Sequence, residues 1–334
     1  MRNLFYLIKS IPFIQTAFNY YFDIKNREKE VCYGNENPNN FFYVIGLPDF
    51  ACGLWWIINK VIMHIAYAED HGYLPVVDML HYHTQYHNPE DINEINVWEK
   101  FFEQPLSVSL DDISKSKHVI LSCKKDVPND KYLMGNTEFY DNPVRLKYFQ
   151  DIFKRYIRFS RETEMKLQEM RDSVMPQDVK ILGVLCRGTD YLLKKPKNHP
   201  VQPEPQVVIK DAEAIMKKYG CDYVFLATED QDILDMFKSH FGTKLKYIKQ
   251  NRVTHEQMKN VNRLMSISSK SNRDKYLMGV EYLSATYILS KCHCFIGGRC
   301  GGTKGVLLMN DNFEYKFIYN LGFYEIGRAS CRER

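Results

Sequence analysis

The chain has no run of about 20 consecutive apolar residues, the length a bilayer-spanning helix needs. It also lacks a long apolar centre followed by a small-residue cleavage site, so Met1 to Lys9 does not read as a signal peptide. Charge of one sign is scarce: 45 Lys and Arg face 41 Asp and Glu, a formal net charge of +4. No dense basic stripe is present, which argues against a nucleic-acid partner. Ser-His-Asp, His-Glu-x-x-His and EF-hand patterns are absent, and no Gly-Lys-Ser/Thr order marks a P-loop. The expected location is the cytoplasm. An aromatic-rich segment, Ile11 to Phe22, either packs on the protein itself or lies peripherally on the inner membrane face.

What is present is the composition of a folded protein, 45% hydrophobic and 26% charged over 334 residues. The nine cysteines read as reduced thiols. Cys292, Cys294 and Cys300 do not have the spacing of a zinc ribbon or finger, and no metal is expected. The last ten residues, 325–334, look like a translated sequencing adapter and are set aside from the fold.

Apolar runs bounded by turn residues predict alternating strands and helices. Phe41 to Gly46, Leu74 to Met79 and His118 to Cys123 read as strands, with a helix from Leu54 that Gly72 ends. Val144 to Ser173 reads as one long helix or two. Pro176 disfavours helix in the residue before it, which sets an expected boundary between residues 1–175 and 176–324. Beyond it the alternation is cleaner. Strands are predicted at Val179 to Cys186, Tyr223 to Ala227, Lys244 to Ile248, Cys292 to Gly297 and Glu314 to Tyr319. Helices are predicted at Pro205 to Tyr219, Asp230 to Phe241, Asp274 to Lys291 and Thr303 to Asn310. Lys249 to Asn272 is expected to be a long loop. The fold class is α/β: two Rossmann-like α/β domains facing a cleft, with ligands outside the carboxyl ends of the strands.

Three strand ends carry chemistry. Cys186-Arg187-Gly188-Thr189-Asp190 ends an apolar strand in a guanidinium that can grip a phosphate through two N–H groups. Its bland reading is a surface turn with an Arg187–Asp190 pair. Thr228-Glu229-Asp230 ends another strand, as helix caps or as acids facing the cleft. Gly297-Gly298-Arg299-Cys300-Gly301-Gly302-Thr303-Lys304-Gly305 opens a helix whose backbone N–H groups can cradle an anion. A fourth stretch, Gly46 to Trp55, also follows a strand and brings Asp49 and Trp55 forward as acceptor-side candidates. Trp98 reads as a sugar-stacking platform or a core aromatic, with the core favoured.

Taken together, these motifs resemble the fucosyltransferase-like superfamily with the GT-B fold, α1,6-fucosyltransferases and nodulation fucosyltransferases in particular. The resemblance rests on Arg187, Thr189 and Asp190, on His199-Pro200, on Leu226-Ala227-Thr228-Glu229-Asp230 and on Ser290 to Met309. It covers the second half well and the first half loosely. It implies an inverting transfer of a sugar, L-fucose from GDP-fucose, onto a surface glycan such as a capsular or lipopolysaccharide precursor, with no metal required. It implies that Arg187 binds the β-phosphate. Gly188, Thr189, His199, Thr228 and Asp230 would complete one wall of the donor site. The loop through Gly298, Arg299, Gly301, Gly302, Thr303 and Lys304 would hold the diphosphate from the other side. Leu185, Ala285 and Lys195 stand where relatives carry base-reading or basic-catalyst groups. Glu281, one turn before Ala285, is the candidate replacement, and Asp190, Asp49 and Glu229 are the candidate bases. A different nucleotide sugar, or a non-catalytic nucleotide- or glycan-binding role, stays open on those departures.

Overall fold

The computed structural model describes residues 27–47, 52–123, 127–259, 261, 264, 267 and 272–325. The Ile11 to Phe22 segment, Asp49, residues 326–334 and much of the 260–271 stretch lie outside the described residues.

The first sheet holds β1 (Lys29–Val31), β2 (Glu36–Ile45), β3 (Leu74–Val77) and β4 (Ser116–Leu121), in the order β1-β4-β2-β3. β2 runs parallel to both β3 and β4, and only β1 is antiparallel. Between β2 and β3 runs α1 (Leu54–Asp70), which is buried along nearly its whole length. Its last turn closes when Gly72, at φ 68°, lets the Tyr73 N–H fold back onto the Ala68 carbonyl. Short helices follow: α2 (Val97–Phe101), α3 (Leu110–Ile113) and α4 (Glu138–Asp141).

The long helical stretch divides into α5 (Pro143–Tyr156) and α6 (Arg161–Val174). The division has a local cause. Phe159 bridges to Phe102, and the Ser160 N–H bonds the Phe101 carbonyl at 3.0 Å. Each helix then has its own cap, Asn142 for α5 and Ser160 for α6.

The second sheet is wholly parallel. It holds β5 (Ile181–Leu185), β6 (Tyr223–Ala227), β7 (Leu245–Lys246), β8 (Cys294–Gly298) and β9 (Tyr315–Tyr319), in the order β7-β6-β5-β8-β9. Its helices are α7 (Thr189–Lys194), α8 (Pro205–Tyr219), α9 (Gln231–Phe241), α10 (His255–Met258), α11 (Lys275–Ser290) and α12 (Gly301–Met309). Side chains alternate along β5 between two cores. Leu182 and Val184 join one with Val208, Ala212 and Phe237, while Ile181 and Leu185 join the other with Leu283, Leu289 and Phe295.

That second core also contains Trp55, Ile58, Phe149 and Ile152 from the first half of the chain. Helix α12 packs on α1 and α5, and α11 packs on α6. The Gln150 side-chain amide donates to the Leu307 carbonyl at 2.6 Å across this seam. Among the described residues, no helix is long and apolar enough to cross a membrane, and all eight cysteines are unpaired.

Candidate functional site

Strands β5 and β8 are neighbours whose chain connections leave in opposite directions. The carboxyl ends of such a pair open a crevice, the usual ligand site of a doubly wound sheet. Here it is a cleft of about 1370 Å³. Its walls include Arg187, Asp190 and His199 from the end of β5 and the loop after it. Thr228 and Glu229 enter from β6, Glu281 and Tyr282 from α11, and Cys300, Gly301 and Lys304 from the start of α12. The opposite wall carries Trp56, Asn59 and Lys60 of α1.

Arg187 is the centre of one end. Its guanidinium lies over the Tyr191 ring at 4.3 Å and donates from Nη2 to Asp190 at 3.3 Å. Its Nε is buried without a hydrogen-bond partner. Burial works against the charge, but Glu229, Tyr191 and Asp190 more than offset it, so the guanidinium stays cationic. A cation with an unmatched donor at a cleft wall has the means to hold an oxyanion.

The turn that presents Arg187 is held from below by two acids. Glu229 accepts the Gly188 N–H and the Thr189 hydroxyl, each at 3.0 Å. Burial pushes its carboxyl above the ordinary carboxylate range, against the pull of Arg187. Fully buried Asp230 accepts the Thr189 N–H at 2.8 Å, caps α9 through the Ile233 N–H at 3.1 Å and meets His255 Nε2 at 2.9 Å. A Cβ on Gly188 would stand 2.2 Å from the Asp230 carboxylate, so only glycine fits that close approach. Thr189 sits at φ 45°, a strained conformation for a β-branched residue. Gly188, Thr189 and Asp230 thus stand behind the cleft wall and shape it, while Arg187, Asp190 and Glu229 face it.

The Gly-rich segment divides its residues between two jobs. The helix begins at Gly301, two residues earlier than the sequence pattern predicts, so Gly301 and Gly302 form its first turn. Behind it the Thr303 hydroxyl donates to the Gly298 carbonyl, and the Gln202 amide donates to the Arg299 carbonyl at 2.9 Å. Arg299 is turned away from the cleft. It is buried, bonds Asp141 and packs over the Tyr140 ring at 5.1 Å. Its expected place on the diphosphate is therefore corrected by its ion pair with α4. Lys304 does reach the cleft, with its ammonium 2.6 Å from the Gly135 carbonyl. Burial, together with the charge of Lys60, lowers it to about 8. Tyr140 ties the same loop down, donating to the Cys300 carbonyl at 2.8 Å and accepting the Cys300 N–H at 3.2 Å.

Of the remaining candidates, His199 lies at the rim with Nδ1 3.0 Å from the Tyr191 hydroxyl. Glu281 lines the cleft in a two-pronged ion pair with Arg273. Leu185 and Ala285 also line it. Trp55, the acceptor-side candidate, does not: its exposure is 0%, its indole N–H donates to Thr286 at 2.8 Å, and its ring fills the space left by Gly305. Trp98, at 1% exposure, is core.

Sequence reading passed over Trp56, Asn59, Lys60, Tyr282 and Arg252. Arg252, half-buried, donates from Nε to the Thr228 carbonyl at 3.1 Å and from Nη2 to the Ile248 carbonyl at 3.0 Å, bracing the β6 end. The Trp56–Lys60 spacing of four residues was a usable signal, because it puts both on one helix face.

No protein-family model matches the chain, and neither does any curated protein sequence. Solved structures do show likeness. The fucosyltransferase NodZ from Bradyrhizobium is 14% identical, with 82% of this chain and 96% of that chain covered and a TM-score of 0.47. POFUT1 in complex with GDP-fucose is 10% identical, with 86% and 99% covered and a TM-score of 0.46. A mutant of Arabidopsis thaliana FUT1 in complex with GDP is 10% identical, with 91% and 74% covered and a TM-score of 0.47.

Proposed function

We propose that the chain is an inverting glycosyltransferase that takes a sugar from a GDP-sugar, L-fucose from GDP-fucose by the resemblance of its motifs, and moves it to a surface glycan. One observation carries the reading: Arg187, with a buried unmatched Nε, and the first turn of α12 at Gly301 converge on one cleft at the switch point between β5 and β8. The two sheets would then mark a donor-side domain and an acceptor-side domain.

In such a transfer the sugar approaches an oxocarbenium ion while negative charge grows on the departing diphosphate. Groups already fixed in place stabilise that charge without reorganising. On this reading Arg187, the N–H groups at the start of α12 and Lys304 would be those groups. Loss of one such contact lowers the rate by about 10²–10³-fold. On this reading no metal is required, so turnover persists in excess chelator. Among the described residues, Asp190 and Glu229 are the acids nearest Arg187 in the cleft. Glu229, whose affinity for a proton burial has raised, is the candidate general base of the two.

Leu185 and Ala285 line the cleft; the motif resemblance implies guanine-reading groups at these positions, so they favour a second reading, a different nucleotide base. Calorimetric titration with GDP, UDP and GDP-fucose separates the two. GDP binding that Arg187→Ala abolishes supports the proposal. UDP binding without GDP binding moves the assignment to the second reading, and binding of neither nucleotide overturns both.

A further inference from the structure

Helix α1 is buried on nearly every side, as a helix between a sheet and other helices should be. From Leu54 to Ala68, only Trp56 and Lys60 escape burial, and both line the cleft. They are four residues apart and so share a face, with the Lys60 ammonium 5.3 Å from the Trp56 ring centre. A water-facing strip on a buried helix is normally a generic polar residue. A 37%-exposed indole on a concave wall is not generic.

A second, independent observation lies one position away. Asn59 is 6% exposed, lines the same cleft, and its Oδ1 has no hydrogen-bond partner. A buried acceptor left unmatched is unfavourable. A ligand hydroxyl at that point would relieve it. Lys60 puts a cationic head on the same wall of the cleft, which favours an anionic group beside the indole.

Taken together, the geometry points to a saccharide subsite on α1 that takes an acidic sugar, its ring stacked on Trp56, a hydroxyl donating to Asn59 Oδ1, and its carboxylate or phosphate held by Lys60. This deepens the proposed function, since it names the acceptor as an anionic glycan, but the binding it predicts does not require a donor.

The three tryptophans give a direct readout, because Trp55 and Trp98 are buried and Trp56 alone is exposed. The experiment measures acrylamide quenching of the full chain during titration with trigalacturonate, glucose 1-phosphate, maltotriose and inorganic phosphate. The expected result is that trigalacturonate or glucose 1-phosphate shields Trp56 and maltotriose does not at equal concentration. The more effective of the two acids identifies carboxylate or phosphate as the charged group. Trp56→Phe removes the exposed signal, and calorimetry then follows binding in the Lys60→Gln variant, expected to be weaker by about tenfold or more. Shielding by maltotriose equal to that by the acids overturns the proposal, as does shielding by inorganic phosphate alone, or no shielding by any probe. GDP is titrated into the same variants. A Lys60→Gln loss as large for GDP as for the acidic saccharide makes Lys60 a donor contact and also overturns it. Failure of wild type to bind GDP would count against the donor reading and leave the saccharide titration readable.

Discussion

The Asp230 carboxylate takes the Thr189 backbone N–H at 2.8 Å and thereby holds a β-branched residue at φ 45°. With the Glu229 bonds to the Gly188 N–H and the Thr189 hydroxyl, it fixes the turn after β5 that presents Arg187.

Substitution of the residue between them tests the arrangement. In Gly188→Ala the new Cβ would meet the Asp230 carboxylate at 2.2 Å and the Ile233 side chain at 2.6 Å. Neither the capping carboxylate nor a packed isoleucine can move without breaking another contact. The expected loss is about 1–3 kcal/mol of stability, the usual range for overpacking, together with loss of GDP binding. Urea unfolding and calorimetry on one preparation measure both, and a stable variant with wild-type GDP affinity contradicts the turn's role.

Arg187→Ala separates binding from folding. The guanidinium lies at the cleft wall rather than in the core, so the melting temperature should change by a few degrees at most. GDP affinity should fall by about 100-fold or more. Arg187→Lys should recover only part of it, because an ammonium cannot reproduce the two-pronged contact. Equal affinity of the lysine variant and wild type would remove phosphate gripping as the reason for arginine.

Lys304 predicts a pH dependence with opposite signs for binding and for stability. Burial and the charge of Lys60 lower it to about 8 in the folded chain. In the unfolded chain it titrates at about 10.4. Between those values the unfolded state holds a proton that the folded state has released, so this residue's contribution to stability improves as pH rises through that window. The cationic form needed for an anionic ligand disappears over the same range. GDP affinity should therefore decline above about pH 8. Lys304→Met should bind GDP more weakly at pH 7 and show no such decline. Calorimetry between pH 6.5 and 9.5 checks it, in buffers of matched ionic strength.

The adjacent tryptophans of α1 should behave in opposite ways. Trp55 is sealed between α1 and α12 against Gly305, and its truncation to alanine should lower stability by about 3–5 kcal/mol. Trp56 faces the cleft, and its truncation should change stability by no more than about 0.5 kcal/mol. Chemical denaturation of the two variants side by side measures the difference.

Much of the second sheet was legible because parallel strands buried on both faces read as unbroken apolar runs. The caps were legible too: Pro205 and Gly220 frame α8, and the Asp230 and Asp274 side chains start α9 and α11. The first sheet was harder. β1 is the charged tripeptide Lys29-Glu30-Val31, a strand only because β4 offers it a partner. Helices α2, α3, α4 and α7 are single or near-single turns, too short to nucleate alone, so their cause is tertiary.

At the site, residue types were easier to read than directions. Arg187 and Glu229 could be placed at strand ends from pattern alone. Arg299 could not be told from Lys304, because which of them reaches the cleft depends on where α12 starts and on an ion pair with Asp141, far away in sequence. Trp55 and Trp56 differ by one step of about 100° around a helix that is apolar on both faces. No local pattern says which of the two is outside.

The seam between the halves bears on any attempt to build hybrids of this protein. The stretch from Gly135 to Tyr156 precedes the second sheet in the chain, yet it supplies the carbonyl that receives Lys304, the carboxylate that receives Arg299 and the amide that meets Leu307. A chimera joined near residue 175, where sequence alone suggests cutting, would give the donor-side half three orphaned polar contacts from a foreign parent. Junctions placed upstream of Leu133 would carry those partners along, so that a graft could exchange the α1 wall and leave the Arg187 end of the cleft with its own supports.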